Sequence, residues 1–145
     1  MAERRGVDER PRCACTAIRR TGRVLTQRYD NALAPTGLRV TQYAVLAKLA
    51  GRGAVAVGAL ADALAMDRTS LTRALAPLQR DGLVRVDPDD DRRRRLIRLT
   101  EEGEEALARA RPRWREAQAQ VAASLGQDRL DALLRELSAV EALIR

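Results

Sequence analysis

The chain has 145 residues, of which 46% are hydrophobic, 32% are charged and only 2% are aromatic. This length accommodates one domain with one core, built mainly from Leu, Ala and Val because Phe is absent. Histidine is also absent, which excludes Ser-His-Asp and Cys-His catalysis, two-His zinc sites and histidine pH sensors. Two cysteines are too few for a structural zinc site or a disulfide framework, so we expect no metal and no cofactor.

The charge distribution indicates a polyanion as partner. Lys and Arg total 27 against 20 Asp and Glu, a formal net charge of +7. Residues 36–100 carry 12 cations and 7 anions, whereas residues 101–145 carry 7 cations and 9 anions. This asymmetry predicts a basic binding surface in the middle of the chain, on a scaffold that does not itself contact the polyanion.

The first half of the chain is predicted to be helical. Residues 1–10 are polar and unpatterned and are predicted to form a disordered arm. Apolar residues recur at helical spacing over residues 11–33, and the Ala-Pro-Thr-Gly sequence at 34–37 ends this helix. A second helix is predicted over residues 41–49. No apolar run approaches the roughly 20 residues of a membrane span, and the Arg-rich start is not a signal peptide.

The middle segment is predicted to form two short helices and a hairpin. The first short helix covers residues 57–64, and Asp67 is a suitable N-cap for the second, which continues to residue 80. Residues 83–86 and 96–99 follow as two strands. Helix, short turn, helix and hairpin form a winged helix-turn-helix, so the predicted fold is mainly α with a small β-hairpin wing.

The second short helix has the composition of a DNA-reading helix. Leucines form its apolar stripe, and its opposite face carries the candidate DNA-binding residues Arg68, Thr69, Ser70, Thr72 and Arg73. An Arg can bind guanine O6 and N7 together, and hydroxyls reach phosphates or base edges. The alternative is an ordinary solvated face of an amphipathic helix.

The hairpin tip supports the DNA-binding interpretation. Four consecutive arginines follow three aspartates there, and their mutual repulsion makes folding stability a poor explanation for them. A phosphate backbone or a narrow minor groove would attract them. We therefore predict that the wing binds DNA through Arg92, Arg93, Arg94 and Arg95, and that Asp91 orients a neighbouring arginine. A solvated charged loop is the alternative.

Four segments together resemble the MarR family of bacterial transcriptional regulators. They are residues 66–73 (MDRTSLTR), 77–84 (PLQRDGLV), 91–93 (DRR) and 99–103 (LTEEG). The resemblance implies a homodimer whose second motif helix enters the major groove and whose wing arginine, with Arg93 the first candidate, reaches the minor groove. It further implies a repressor of stress, efflux or catabolic genes that a small phenolic ligand or an oxidant releases from a pseudo-palindromic operator.

The domain organisation follows from this interpretation. Residues 1–145 form a single domain, in which residues 36–100 are the DNA-binding lobe. Residues 11–34 and 101–145 are dimerisation helices, because their leucine stripes exceed what one small core can cover. We expect a cytoplasmic protein that is associated with the nucleoid when bound to DNA. A non-specific architectural DNA-binding protein is the alternative function. An enzyme is not expected, since no nucleotide loop or paired catalytic carboxylates are visible.

Five further residues are candidates for sensing. Tyr29, Tyr43 and Trp114 are the aromatic candidates for a ligand pocket, with structural packing as the alternative. Cys13 and Cys15 are predicted to lie at the start of the first helix, where the helix dipole and nearby arginines favour thiolate. They are candidates for a redox switch, against packing or a thiol-bound metal or cofactor.

Overall fold

The computed structural model describes residues 13–88 and 95–144. The predicted arm at residues 1–10 and the wing tip with Asp91, Arg92, Arg93 and Arg94 lie outside these ranges. The described helices are α1 (Ala14–Leu33), α2 (Val40–Leu49), α3 (Val57–Ala63), α4 (Arg68–Arg80), α5 (Glu101–Leu125) and α6 (Gln127–Ile144). The described strands are β1 (Val55–Ala56), β2 (Val84–Pro88) and β3 (Arg95–Leu99).

Capping residues fix the ends of several helices. After α1, a 3-10 turn at Ala34–Thr36 ends at Gly37, whose positive φ of 76° suits glycine. Asp67 caps α4 by accepting a hydrogen bond from the Ser70 amide at 2.8 Å. Thr100 caps α5. The first turn of α5 carries three glutamates, whose negative charges interact favourably with the positive end of the helix dipole. Gly126, with a φ of 90°, separates α5 from α6.

The strands form one antiparallel sheet in the order β1-β3-β2. The pairing of Val84 with Leu99 starts the hairpin at its base, which confirms the predicted wing. Strand β1 adds a third member, with Val55 opposite Ile97. Strand β1 was not predicted from the sequence, because a two-residue strand is too short to show an alternating pattern and depends on its partner in the fold.

A single core joins the helices to the wing. It contains residues from α1 through α5, and its largest fully buried side chains are Leu33, Leu46, Leu49, Leu60, Leu71, Leu78, Ile97 and Val45. Helix α5 packs against α1, α2 and α6 and so connects the middle lobe to the terminal helices. No helix in the described ranges is long and apolar enough to cross a membrane. The predicted class, mainly α with a winged helix-turn-helix, is confirmed.

Candidate DNA-binding surface

Helix α4 is fixed by its apolar side, so that its polar side is left to solvent. Leu71, Leu75 and Leu78 are buried, and burying each leucine is worth about 1.5–3 kcal/mol. The preceding turn passes through Ala65 in a left-handed conformation with a φ of 52°. This conformation costs a non-glycine residue about 1–2 kcal/mol. Backbone hydrogen bonds from the Ala65 amide to the Asp62 carbonyl and from the Met66 amide to the Ala61 carbonyl offset part of this cost.

All five predicted DNA-binding residues of α4 are exposed: Arg68, Thr69, Ser70, Thr72 and Arg73. Their hydrogen-bonding states differ. The Ser70 hydroxyl donates to the Asp67 carboxylate at 2.6 Å, and the Thr72 hydroxyl donates to the Arg68 carbonyl at 2.8 Å. Both hydroxyl protons are thus engaged within the helix, and only their oxygen lone pairs face outward as acceptors.

The charges at the start of α4 are of two kinds, free cations and a bonded carboxylate. Neither Arg68 nor Arg73 makes an ion pair with any residue in the described ranges, and both side chains are exposed. The pKa of Asp67 is held below its usual value by the Ser70 hydroxyl and then by the Ser70 amide. Asp67 therefore remains ionised at the N-terminus of α4, where a negative charge stabilises the helix.

The base of the wing neutralises part of its own charge. The Asp87 carboxylate lies 3.1 Å from Nε of Arg85 and 3.4 Å from Nε of Arg98. Arg85 and Arg98 are cross-strand partners, so one carboxylate separates two like charges. Arg95 is exposed at the start of β3. The role of Asp87 was not predicted from the sequence, because it depends on the register of the two strands.

The three aromatic candidates make different contacts. Tyr43 and Trp114 stack with ring centroids 5.5 Å apart and an interplanar angle of 14°. Tyr43 is buried, and Trp114 packs against the core. Tyr29 donates a hydrogen bond to Gln118, and partial burial raises its pKa. Each of the three thus has a packing or hydrogen-bonding contact in the fold, and their role in a ligand pocket stays a prediction.

A separate groove of about 670 Å³ runs along α1. Its lining includes Arg19, Arg23 and Arg39, and none of the three aromatic side chains lines it. Arg39 lies 3.4 Å from Asp30, whose other oxygen accepts a 2.8 Å hydrogen bond from the amide of Val40 at the start of α2. The lining therefore carries more positive than negative charge.

The cysteines lie at the start of α1, and one placement differs from expectation. Helix α1 begins at Ala14, and Cys13 is its N-cap with an extended backbone (φ −63°, ψ 116°), so only Cys15 lies within the helix. Both thiols are exposed. The pKa of the Cys13 thiol is lowered by the hydroxyl and then the backbone amide of Thr16. The predicted pair within one helical turn is thus corrected to one capping and one helical cysteine.

Known proteins share this architecture. The structure of the M. tuberculosis transcriptional regulator MosR in complex with DNA is 41% identical, with a TM-score of 0.81 over 92% of this chain and 99% of that chain. The transcriptional repressor CouR, bound to a 23-mer DNA duplex, is 26% identical, with a TM-score of 0.80 over 89% of this chain and 92% of that one.

Sequence comparison also leads to transcriptional regulators. The transcriptional regulator HosA from Escherichia coli O127:H6 is 40% identical over 72 residues, which are 49% of this chain and 53% of HosA. The chain thus spans about half the length of the curated relatives it matches. A family model described as MarR family matches residues 36–94. The fold, together with the exposed face of α4, defines a winged helix-turn-helix protein. The chain belongs to the MarR family of transcriptional regulators, which confirms the predicted resemblance.

Proposed function

We propose that this protein is a homodimeric repressor that binds a specific double-stranded DNA sequence in the cytoplasm and is released by an oxidant or a small ligand. The observation that carries the proposal is the exposed face of α4, which holds two arginines without an ion pair to the described residues on a helix anchored by three buried leucines. The DNA-bound structures of MosR and CouR support DNA as the partner of this chain. The description of CouR as a transcriptional repressor supports repression as the effect on transcription.

The state of the hydroxyls refines the roles on α4. We assign direct base or phosphate contacts as donors to Arg68, Thr69 and Arg73. Ser70 and Thr72 would contact DNA as acceptors, for example from the amino groups of adenine or cytosine, because donation would break their bonds within the helix. In this assignment Ser70 also holds Asp67 in its capping position.

The terminal helices support the proposed homodimer. Several large apolar side chains are at least two-fifths exposed on α1 and α6: Ile18, Val24, Leu133, Leu134, Val140 and Leu143. A stable monomer does not normally leave so many apolar side chains on two helices in water. A second copy of the chain would cover them and would place two α4 helices on two half-sites about one helical turn of DNA apart.

Two experiments test the function. Duplexes selected by the purified protein from a random pool should share a pseudo-palindrome, and random DNA should compete poorly against them. Random DNA that competes as well as the selected duplex would favour the architectural alternative. Transcription in vitro from a promoter that contains the selected sequence should fall when the protein is added. A rise would identify an activator.

A further inference from the structure

The end of α4, both wing strands and the start of α5 meet at one point formed by Gly82, Leu83, Thr100 and Gly103, here called the wing joint. Strand β2 begins one residue after Leu83, and β3 ends one residue before Thr100. The two described wing strands therefore share this joint as their common base. A change in the angle of the joint changes the direction of both strands.

One hydroxyl links the two sides of the wing joint. The Thr100 hydroxyl donates to the Gly82 carbonyl at 2.6 Å and accepts from the Gly103 amide at 3.0 Å. The Thr100 amide donates to the Leu83 carbonyl at 3.2 Å. Thr100 thus caps α5 and at the same time holds the chain that enters β2.

The same chain is tied to the recognition helix. The Leu83 amide donates to the Leu78 carbonyl at 2.9 Å, and the Gly82 amide donates to the Gln79 carbonyl at 3.0 Å. Gly82 adopts a φ of 72°, which lets the chain leave α4 and turn at once into β2. Backbone groups therefore fix the chain that enters β2 to the end of α4, and the Thr100 hydroxyl connects the same chain to α5.

Gly103 allows α5 to approach the wing more closely than another residue would. A Cβ atom built on Gly103 would lie 2.0 Å from the Leu83 carbonyl oxygen and 2.7 Å from Cδ1 of Leu99. The first contact is with backbone, so an alanine here must push α5 and the base of the wing apart. Not every helical glycine is so confined: a Cβ built on Gly22 in α1 would meet nothing within 4 Å among the described residues.

We infer that Thr100 and Gly103 are positioning residues that set the direction of the wing relative to α4 and α5, and thereby let the wing arginines contact DNA. This inference rests on the proposed DNA-binding function. Since α5 also packs against α1 and α6, the joint connects the wing to the helices that we propose form the dimer. The joint needs no contact with DNA to act.

The test compares DNA binding as a function of salt for the wild type, Thr100→Val, Thr100→Ser and Gly103→Ala. Removal of the hydroxyl in Thr100→Val should weaken binding about tenfold or more and flatten the salt dependence by about one unit for each phosphate that the wing no longer neutralises. Thr100→Ser keeps the hydroxyl and should bind as the wild type does. Gly103→Ala should resemble Thr100→Val, and Thr100→Val serves alone if Gly103→Ala does not fold.

A second background shows whether the effect passes through the wing. In a chain in which Arg92, Arg93 and Arg94 are all replaced by Ala, Thr100→Val should cause no further loss of affinity. An equal loss in both backgrounds would overturn the inference, because the joint would then act on the whole fold. Wild-type binding that the triple replacement leaves unchanged would overturn it too, while the proposed DNA binding would stand. Absence of DNA binding by the wild type would instead reject the proposed function.

Amide hydrogen exchange gives an independent readout of the joint. Thr100→Val should speed exchange in β2 and β3 and leave the buried stripe of α4 at Leu71 and Leu75 protected. Exchange that rises equally in α4 would indicate general destabilisation, which contradicts a positioning role.

Discussion

At the scale of single residues, Arg73 is the side chain on which specificity is expected to depend. It is exposed on α4, one turn after the capped N-terminus, and it makes no ion pair with the described residues. Replacing Arg73 by Ala should weaken operator binding by about 1–3 kcal/mol and relax the preference at one base pair per half-site. Titration of the selected operator and of its single-base variants measures both effects.

The control for Arg73 is a charge of the same kind that lies away from α4. Arg109 is exposed on α5, where it lies 3.7 Å from Glu105 in a pair that water screens. Arg109→Ala should leave the preference among operator variants unchanged. If Arg73→Ala discriminates between operators as well as the wild type does, Arg73 contacts phosphate or nothing, and base recognition belongs to Arg68 and Thr69.

At the scale of elements, α4 depends on its cap, and the cap depends on pH. The Ser70 hydroxyl and amide lower the pKa of Asp67, so folding favours the ionised carboxylate. Its contribution to stability is complete above the usual carboxyl pKa of about 3.9 and is lost as the pH falls through the lowered folded value. Asp67→Ala should therefore lower the thermal midpoint at pH 7, and this deficit should shrink in acid.

The matched variant for the cap is Ser70→Ala, which removes the hydroxyl but keeps the amide that Asp67 binds. It should lower the midpoint less than Asp67→Ala does, and it should raise the pKa of Asp67 toward its usual value. Thermal unfolding followed by circular dichroism between pH 2 and pH 7, a range that spans the usual pKa, gives these differences. A deficit for Asp67→Ala that is the same at both ends of this range would contradict a charged cap.

Most elements were predictable because their signals are local. Apolar spacing, Asp67 as a cap and the Ala-Pro-Thr-Gly sequence gave the first four helices close to their observed bounds, and α5 runs unbroken across Pro112. Strand β1 and the wing joint were not predictable, since β1 exists only through pairing with β3. The fit of Gly103 against Leu83 likewise depends on how α5 docks. For the aromatic residues, composition supplied candidates but could not predict that Tyr43 and Trp114 stack, since the two lie far apart in the sequence.

At the scale of the whole molecule, dimerisation is tested at the most exposed apolar positions. Val24 on α1 is 66% exposed and Leu143 on α6 is 84% exposed. Both should tolerate charge in an isolated chain but not within a dimer interface. The double variant Val24→Glu and Leu143→Glu should sediment as a monomer and bind the operator much more weakly. Gln79→Glu, which adds charge at an exposed position of α4, should remain dimeric. A dimeric double variant would move the interface elsewhere.

The oxidant response would begin at the two thiols and end at the DNA. Hydrogen peroxide converts a thiolate to a sulfenic acid, and a second thiol then displaces water to form a disulfide. The lowered pKa of Cys13 makes it the expected first site of attack, and its capping position leaves it exposed. Alkylation of a Cys15→Ser variant, in which Cys13 is the sole thiol, should already be fast below the usual thiol pKa of about 8.5.

The consequence for DNA depends on the position of Cys15 inside α1. Cys15 is the second residue of that helix, so a bond to Cys13 would have to distort its first turn, and a bond to the partner subunit would fix two α1 helices together. Either product alters helices that we propose set the spacing of the two α4 helices. Peroxide should therefore release the operator from the wild type, and a reductant should restore binding. The double variant Cys13→Ser and Cys15→Ser should keep its DNA under the same treatment. Loss of DNA from both proteins would place the oxidant's target outside this cysteine pair.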